Sequence, residues 1–599
     1  MTLSRRRFLK VGAAGAACAM GSLKGLTATT EAGAAQIAIK RIEEMPNVPL
    51  KFKVRDWRQV AVDLDAHLFD LNAKGPGRPF IWMDRSRVNF NEDTFGLYVT
   101  VDDPRCGPKE NGGQFHDAVC ELPSLIGATL VGIDKSNQNG RDWVSMSKAF
   151  FHKADGKNIF MDMVRDFSYK VGGAMNIDFW YDTVPNMLFM QLAILYPHEA
   201  QFDELQRTVA EQFYRAVLVL KDDPKGFHHQ TFNFKTMQPY DGPQEMHWIE
   251  PDSSGAFGWM QYMAYVKFGD PKYLQAAKSA MEALNAETSS PLYDVILPFG
   301  AYAAARMNAE QGTSYDTGKI VDWCFAGGKI CMGGVSSARW GDYDVSGLVT
   351  MGEDRPYLFE THQLASSLVP LVRYEPRLAR AVGKWMLNAA SNARLFYPGE
   401  IPDDYQAAPE LKEVSRNLIG YEVLLGRGGK LLDAQEKDVL AKRSGVSFVA
   451  SRDNWECWSP ATGQRYVFPP ISHFSLYSST SVGVFGAIIS RTDDEQILGL
   501  DCLKTDYNRA AAYPTHLYYN PHDEEREIHV DVGAKRVDLY DAVAKRWVKK
   551  SAAGKAGVRL ARDSAAVIVA VPAGAKTERK GKRLLADGVV VDYFAGGAA

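Results

Sequence analysis

Residues 257–284, FGWMQYMAYVKFGDPKYLQAAKSAMEAL, contain two helical segments joined by a tight turn. The first segment is apolar and aromatic throughout, which is typical of a buried helix. Gly269-Asp270-Pro271 ends that helix and begins the next, because glycine is favoured after a helix and proline is tolerated in a first helical turn. The second segment is rich in alanine and has one polar face. The stretch therefore predicts a hairpin of one buried helix and one partly exposed helix.

The same pattern occurs twice more, each time as a buried helix, a turn that contains proline and an amphipathic helix. The further pairs are 188–195 with 203–220, and 358–374 with 377–393. Other helical candidates are 57–72, 115–131, 291–308, 314–324, 409–426 and 472–490. About a dozen helices without alternating strands argue against a doubly wound α/β fold.

The pattern changes near residue 510. Short alternating or apolar runs, separated by clusters of Gly, Lys and Asp, predict strands there. These runs are 516–519, 527–532, 536–540, 558–560 and 566–571. We therefore predict a helical domain over residues 35–509, followed by a small antiparallel β-sandwich over residues 510–599.

The first 34 residues predict an export signal. Residues 4–10, SRRRFLK, are similar to the twin-arginine motif, and Ala32-Gly33-Ala34 is a candidate cleavage site. The apolar run between them, 11–23, is too short and too rich in Gly and Ala for a comfortable transmembrane helix, and no later stretch is long and apolar enough. We expect the mature chain, from residue 35 onward, to be periplasmic or extracellular.

Composition limits the classes of function. The 599 residues include 69 Lys+Arg and 72 Asp+Glu, and 46% are hydrophobic, which indicates an ordinary globular protein. A net charge of -3 argues against nucleic-acid binding, which needs a basic excess. No cysteine pair has zinc-ribbon spacing, so we predict neither a metal nor a cofactor. The sequence does not indicate an oligomeric state.

Paired helices followed by a small sandwich resemble the six-hairpin glycosidase-like superfamily, whose six helix hairpins close into an (α/α)6 toroid. The resemblance extends from about residue 50 to residue 599. It is carried by the hairpin turns, by Phe179-Trp180-Tyr181-Asp182 and by residues 512–521, AYPTHLYYNP, at the junction of the two domains. It implies a mainly α fold and an enzyme that acts on a carbohydrate, most often a glycoside hydrolase or a polysaccharide lyase. No catalytic residue is transferred by it.

Polar and aromatic residues precede the predicted inner helices, which we expect to begin near residues 183, 253, 291, 357 and 478. Inner helices of a toroid run parallel, so the loops before them share one mouth. The polar loops are 178–182, 245–252, 339–344, 353–355 and 473–477. We therefore predict that they converge on a single cleft.

The chemistry of these loops suits hydrolysis of a glycosidic bond, which needs a carboxylic acid and a second carboxylate. Glu250 is our first choice for the general acid, because it stands outside a helix, and Asp252 is the second. Asp182 or Asp342 is the predicted base. Asp178 and Asp344 are further catalytic candidates.

All of these carboxylates except Glu250 also have a ready structural interpretation. Asp182 would be the N-cap of a helix that begins at residue 183, and Asp252 would be the N-cap of the helix at 253. Asp178 would share a helix face with Asp182. Asp342 and Asp344 would belong to a solvated turn.

Flat aromatic rings beside these carboxylates would stack on a sugar. Trp180, Trp248, Trp340 and Tyr343 are the predicted platform. The remaining predicted substrate-binding residues are Tyr181, His247, Glu360 and His362.

Two other functions remain open. A polysaccharide lyase would abstract a proton from a uronate with His247, Tyr343 or His362, and Arg339 would neutralise the uronate carboxylate. We rank the lyase second, because the loops hold more Asp and Glu than Arg and Lys. A non-catalytic carbohydrate-binding protein would use the aromatic residues alone.

Overall fold

The computed structural model describes residues 35–75, 78–98, 114, 116–165, 178–241, 249–328, 332–351, 355–403 and 475–595, with short pieces between 404 and 474. The export signal over residues 1–34 lies outside the described residues. None of the described helices is long and apolar enough to cross a membrane.

The predicted helix hairpins are confirmed, with shifted ends. The helices are α1 (Lys40–Glu43), α2 (Trp57–Leu68), α3 (Ala118–Leu130), α4 (Trp143–Met146), α5 (Phe179–Leu195), α6 (Phe202–Asp222), α7 (Ser253–Phe268), α8 (Pro271–Ala286), α9 (Ile296–Gln311), α10 (Thr317–Ala326), α11 (Leu358–Leu371), α12 (Ala379–Asn392), α13 (Leu476–Ser479) and α14 (Val482–Ile488). Most of the predicted helix 409–426 lies outside the described residues, and its described end forms a short strand.

Six of these helices contact one another in a closed order. Along the chain, α3 packs against α5, α5 against α7, α7 against α9 and α9 against α11. The order closes because α14 packs against both α11 and α3. The intervening helices lie outside this order: α6 packs on α5 and α7, α8 on α7, α10 on α9 and α12 on α11. We refer to α3, α5, α7, α9, α11 and α14 as the inner helices.

Glycines allow two pairs of inner helices to approach closely. A Cβ atom on Gly483 of α14 would lie 2.2 Å from the Cα of Gly127 on α3. A Cβ atom on Gly300 of α9 would lie 2.8 Å from the Cα of Gly255 on α7. No side chain fits at either contact, so backbone packs directly on backbone there.

Small two-stranded hairpins lie between the described helices up to residue 475. The strands of the chain up to residue 468 are β1 (Ile81–Asp84), β2 (Thr94–Leu97), β3 (Thr231–Asn233), β4 (Gln238–Tyr240), β5 (Met332–Val335), β6 (Arg339–Trp340), β7 (Tyr343–Asp344), β8 (Val349–Met351), β9 (Gly426–Arg427), β10 (Lys430–Leu431), β11 (Trp455–Trp458) and β12 (Arg465–Phe468). They pair antiparallel in twos, with β5 beside β8 and the others in sequence order.

The C-terminal part is an antiparallel β structure, as predicted. Its strands are β13 (Ile489–Arg491), β14 (Leu498–Asp501), β15 (Thr515–Asn520), β16 (Arg526–Asp531), β17 (Val537–Asp541), β18 (Arg546–Ala552), β19 (Lys555–Leu560), β20 (Ser564–Pro572), β21 (Thr577–Lys580), β22 (Arg583–Ala586) and β23 (Val589–Asp592). Six of them form one sheet in the order β13-β14-β15-β20-β17-β18. The first two strands of this sheet, β13 and β14, precede residue 510 in the sequence.

Both faces of this sheet are buried. Successive residues of β20 alternate between two cores: Val567 and Val569 face the helices, whereas Ala566 and Ile568 face the β16–β19 pair. This alternation follows from the two-residue period of a strand. The helical face packs on α12, where a Cβ atom on Gly383 would lie 2.6 Å from the Cβ of Tyr519.

A buried ionic network joins the ends of α9 and α11 to the start of the sheet region. The carboxylate of Asp506 accepts hydrogen bonds from Nη1 of Arg373 at 2.8 Å and from the hydroxyl of Tyr374 at 3.0 Å. Arg306 on α9 donates to the carbonyl oxygens of Tyr507 and Asn508 at 2.7 and 2.8 Å. Arg373 is therefore neutralised by the segment that leads into the sheet, whereas Arg306 also pairs with Glu310 of its own helix, with 3.0 Å between Nε and Oε2.

The glycine contact between α3 and α14 provides a test of the closed helix order. Replacing Gly483 with Ala forces the two backbones apart, and we expect it to cost about 1–3 kcal/mol of unfolding free energy. Gly318→Ala in α10 is the control, because its Cβ would have no neighbour closer than 3.6 Å. That change should be neutral or stabilise by up to about 1 kcal/mol. Chemical denaturation measures both, and equal effects would contradict the close contact.

Candidate active site

Glu250 stands before α7 in the sequence but binds the start of α5. Its side chain is fully buried, and its Oε2 accepts a hydrogen bond from the backbone N–H of Trp180 at 3.0 Å. Its own N–H donates to the carbonyl oxygen of His229 at 3.2 Å. Glu250 therefore lies at the N-terminal end of a neighbouring inner helix.

Asp178 is the N-cap of α5. Its Oδ1 accepts from the N–H of Tyr181 at 3.2 Å, and the helix begins at Phe179. The expectation that Asp182 caps a helix beginning at residue 183 is wrong, because α5 already begins at Phe179. Asp182 lies inside that first turn instead.

The carboxylates of Asp178 and Glu250 lie close together. They accept from the amides of Tyr181 and Trp180, at 3.2 and 3.0 Å. Since adjacent amide nitrogens of a helix are about 3 Å apart, the two accepting oxygens lie within about 9 Å of each other. Glycoside hydrolases use two carboxylates separated by roughly 5 to 9.5 Å.

Asp182 is a third buried carboxylate at this end of α5. Its Oδ2 accepts from the hydroxyl of Thr231 at 2.6 Å and from the N–H of Phe232 at 3.5 Å. Its Oδ1 has no hydrogen-bond partner among the described residues. Burial raises the pKa of Asp182 to about 7, although Thr231 and Phe232 oppose that shift. The group thus titrates near neutral pH.

Asp252 and Tyr293 bring α7 and α9 into the same cluster. Asp252 occupies the N-cap position of α7, but its side chain does not cap that helix. Its Oδ2 accepts from the N–H of Tyr293 at 2.7 Å, and burial raises its pKa well above the usual range. The hydroxyl of Tyr293 lies 3.5 Å from Oδ2 of Asp178. We call Asp178, Asp182, Glu250 and Asp252 the carboxylate cluster.

Tyr293 was not predicted as a site residue. The predicted helix over 291–308 includes it, whereas α9 begins at Ile296. Tyr293 and the buried Asp294 therefore stand in a loop before an inner helix, as the predicted residues do. Their position in a loop before an inner helix is the sequence signal that could have identified them.

A second group of ionisable residues lies at the start of α3. Nε2 of His116 is 3.1 Å from Oδ2 of Asp84, and its Nδ1 is 3.4 Å from Oε2 of Glu121. Burial alone would lower the pKa of His116, but Glu121 and Asp84 raise it to about 9. The imidazole is therefore charged at neutral pH. These residues were not predicted, because Asp84 is distant in sequence from the helix.

Residues 160–162 link this group to the carboxylate cluster. Asn186 on α5 accepts from the N–H of Phe160 at 2.9 Å and donates to its carbonyl oxygen at 2.8 Å. The carbonyl oxygen of Asp162 accepts from the N–H of Ala118, the first residue of α3, at 2.8 Å. The starts of α3 and α5 thus lie at the same end of the helix bundle.

Glu360 and His362 lie in the first two turns of α11, as predicted, and both are buried. The ring of His362 packs edge-on against Phe485 of α14, with centroids 4.6 Å apart. Burial lowers the pKa of His362 to about 3. It is therefore neutral at physiological pH.

The predicted aromatic platform is placed only in part. Trp180 is buried at the start of α5, and its ring meets that of the half-buried Tyr181 edge-on, with centroids 4.9 Å apart. His247 and Trp248 lie outside the described residues, as does His473.

The β6–β7 hairpin engages the N-terminal segment. Asp342 is 79% exposed and its carboxylate lies 3.5 Å from Nζ of Lys51. Asp344 accepts from the N–H groups of Leu50 and Ser346 at 3.1 and 2.9 Å. Trp340 is buried, and the ring of Tyr343 lies beneath the Lys51 ammonium. Among the described residues, no hydrogen bond joins Asp342 or Asp344 to the carboxylate cluster.

The described part of the chain holds no group of three or more His, Cys, Asp and Glu residues arranged to bind a metal ion. Cys324 and Cys502 are buried free thiols, and burial raises the pKa of each well above its usual range. Neither thiol is therefore ionised at neutral pH.

Comparisons with known proteins give limited information. No protein-family model matches the sequence, and no curated protein matches it. Among solved structures, a GH127 β-arabinofuranosidase is similar with a TM-score of 0.33 and 9% identity, over 91% of this chain and 85% of that one. A GH127 β-L-arabinofuranosidase from Geobacillus stearothermophilus T6 is similar with a TM-score of 0.29 and 10% identity, over 90% and 86%. TM-scores of this size do not establish a shared fold.

The pKa of Asp182 predicts a pH-dependent stability. Because its pKa is about 7 in the folded protein and about 4 in an unfolded chain, ionisation opposes folding as pH rises between these values. The penalty is complete above pH 7 and on the order of 4 kcal/mol. Asp182→Asn removes it, so this variant should gain thermal stability relative to wild type between pH 5 and pH 8.

The exposed Asp342 is the control for this experiment. Asp342→Asn should change the melting temperature by the same amount at pH 5 and at pH 8, since that carboxylate is 79% exposed. A stability difference between Asp182→Asn and wild type that does not change with pH would show that Asp182 has no raised pKa.

Proposed function

We propose that this protein is a glycoside hydrolase, and that its inner helices form the inner ring of an (α/α)6 toroid. The supporting observation is that two buried carboxylates, Asp178 and Glu250, occupy the N-terminal end of the same inner helix within about 9 Å of each other. They come from different loops, so the fold assembles the pair. This separation suits the paired carboxylates of glycosidic bond hydrolysis.

Glu250 is the proposed general acid. It donates its proton to the glycosidic oxygen as the bond to the anomeric carbon breaks, and the leaving sugar departs as an alcohol. Asp178 is the proposed second carboxylate. It takes a proton from the water that attacks the anomeric carbon.

Asp178 suits the role of base because donors stabilise its ionised form. The N–H of Tyr181 and the hydroxyl of Tyr293 both point at its carboxylate. Hydrogen bonds to a carboxylate favour ionisation. Asp342, the alternative base, is exposed and engages Lys51 instead.

The sugar would bind beside Trp180 and Tyr181, which lie in the first turn of α5 and whose backbone N–H groups donate to the two carboxylates. His247 and Trp248 stand three and two residues before Glu250 in the sequence. The same platform would serve a non-catalytic binding protein, but such a protein has no use for paired buried carboxylates.

A neutral glycan is the proposed substrate class. The described residues at the starts of α5, α7 and α9 include Asp178, Asp182, Glu250, Asp252 and Asp294, all of them buried. These five acids supply no cation to neutralise the carboxylate of a uronate, and those that are ionised repel it. For this reason we rank a polysaccharide lyase below a hydrolase.

Export by the twin-arginine route is part of the proposal. It is supported by residues 4–10, by the apolar run after them and by Ala32-Gly33-Ala34. The proposed location is the periplasm or the exterior of the cell.

The test is incubation of residues 35–599 with neutral and uronate-containing glycans. We expect products heavier by one water, read by mass spectrometry. In Glu250→Gln and Asp178→Asn, kcat/KM should fall by about 10²- to 10⁴-fold, since each change removes a proton-transferring group. Glu578→Gln, on an exposed strand of the C-terminal sheet, is the matched control and should retain activity.

Three results would contradict this assignment. Unsaturated uronate products, detected by their ultraviolet absorbance, would establish a lyase. Loss of activity in Asp342→Asn together with full activity in Asp178→Asn would show that Asp342 is the base. Binding without turnover on every glycan would indicate a carbohydrate-binding protein.

A further inference from the structure

Tyr293 contacts two members of the carboxylate cluster from the loop before α9. Its side chain is 2% exposed. Its hydroxyl lies 3.5 Å from Oδ2 of Asp178, and its backbone N–H donates to Oδ2 of Asp252 at 2.7 Å. One residue therefore connects the starts of α5, α7 and α9.

The backbone contact holds the phenol in place. Because Asp252 accepts the N–H of Tyr293 at 2.7 Å, the main chain of this loop is anchored to the start of α7. The ring then extends from that anchor to Asp178, which is 115 residues away in the sequence. The hydroxyl distance is at the long end for a hydrogen bond, and such contacts in ligand-free active sites commonly shorten when substrate binds.

The two oxygens of Asp178 have donors of different kinds. Oδ1 accepts a backbone N–H of α5, and Oδ2 faces the hydroxyl of Tyr293. A phenol keeps its proton up to about pH 10, so it remains a donor across the physiological range. Donation from both sides fixes the plane of the carboxylate and favours its ionised form.

We propose that Tyr293 is a positioning residue, which orients Asp178 and keeps it ionised so that Asp178 acts as the base of the reaction. This inference rests on the proposed function. Glu250, at the adjacent amide of the same helix, is then the partner that holds the proton. The division of roles follows the general rule that two carboxyl groups in one site act as acid and base when their surroundings differ.

Other ionisable groups surround the start of α5. They are Asp182 on α5 itself, Glu250 and Asp252 before α7, Asp294 before α9, Glu121 and His116 at α3, Lys157 between α3 and α5, and His229 beside β3. The three cationic or basic groups contact carboxylates of their own: His116 contacts Asp84 and Glu121, Lys157 contacts Asp155, and His229 contacts Asp223 and Asp241. The contacts given for these three groups are with other carboxylates, and the hydroxyl of Tyr293 faces Asp178 directly.

The first measurement needs no substrate. The melting temperatures of wild type, Tyr293→Phe, Asp178→Asn and the double variant are compared between pH 4 and pH 8. Both substitutions preserve shape, and Asn is as good an N-cap as Asp, so the variants should fold. We expect Tyr293→Phe to lower the melting temperature by about 1–2 °C at pH 8 when Asp178 is present.

That loss should become smaller as pH falls, because a protonated Asp178 gains less from the hydroxyl. It should also be smaller in the Asp178→Asn background. A loss that is the same at every pH and in both backgrounds would show that Tyr293 only fills space, and it would overturn the proposal.

The second measurement is the pH profile of kcat/KM on the glycan that wild type cleaves best. Removing the hydroxyl makes Asp178 easier to protonate, so the acidic limb should move up by about 0.5–1 pH unit in Tyr293→Phe. Tyr540→Phe is the matched control, because its buried hydroxyl also bonds a carboxylate, Asp592 at 3.0 Å, but lies in the C-terminal sheet. That variant should keep the wild-type profile.

The outcomes separate this inference from the proposed function. Turnover with an unshifted acidic limb in Tyr293→Phe overturns the role of Tyr293 and leaves the hydrolase intact. An absence of turnover by wild type on every glycan overturns the hydrolase and the assignment of Asp178 as its base, whatever the melting temperatures show.

Discussion

Backbone contact between inner helices is the constraint on which the candidate site depends. At Gly127 with Gly483, and at Gly255 with Gly300, two helices meet without a side chain between them. Helices this close leave little room at the centre, and α5 even contacts α9 across α7. The contact of Gly255 with Gly300 thereby holds the starts of α7 and α9 together, and α5 packs against both of these helices. Their positive ends combine there, which is the setting in which several buried carboxylates are tolerated.

The use of one helix end by two carboxylates has a chemical consequence. Asp178 belongs to α5 as its N-cap, whereas Glu250 reaches the same amides from the loop before α7. The geometry of the pair is therefore set by rigid backbone rather than by flexible side chains. Asp182, one turn further along, is held by Thr231 from a hairpin. Three separate loops thus determine the positions of three carboxylates.

The helices and the C-terminal strands could be predicted from the sequence because their signals are local. Apolar runs, Gly-Asp-Pro turns and alternating strands all act within about ten residues. The helix starts were harder to predict. Pro185 suggests a helix that begins close to it, but the missing N–H of a proline removes a single hydrogen bond, and α5 extends a further turn to Phe179. For α9 the predicted start was too early. Tyr293 and Asp294 fit a helical pattern, but the helix begins after them, at Ile296.

The candidate site was predictable as a set of positions and not as a set of contacts. Asp178, Asp182, Glu250 and Asp252 were identified because each precedes or begins an inner helix. The contact of Tyr293 with Asp178 joins residues 115 positions apart, and no local pattern contains it. The pairing of His116 with Asp84 and that of Asp342 with Lys51 are likewise long-range. Such contacts depend on how the helices pack against one another, which a local residue pattern does not determine.

The ionic network around Asp506 has a consequence for how the chain is made. Arg373 is buried beside the end of α11, and its carboxylate partner is Asp506, whereas Arg306 on α9 also pairs with Glu310 of its own helix. During synthesis the charge of Arg373 therefore lacks this partner until the ribosome has produced more than five hundred residues. The helical part cannot complete its core before the sheet region emerges, so the two parts mature as one unit. A chain that finishes folding so late is more exposed to aggregation during translation than one whose domains close in turn.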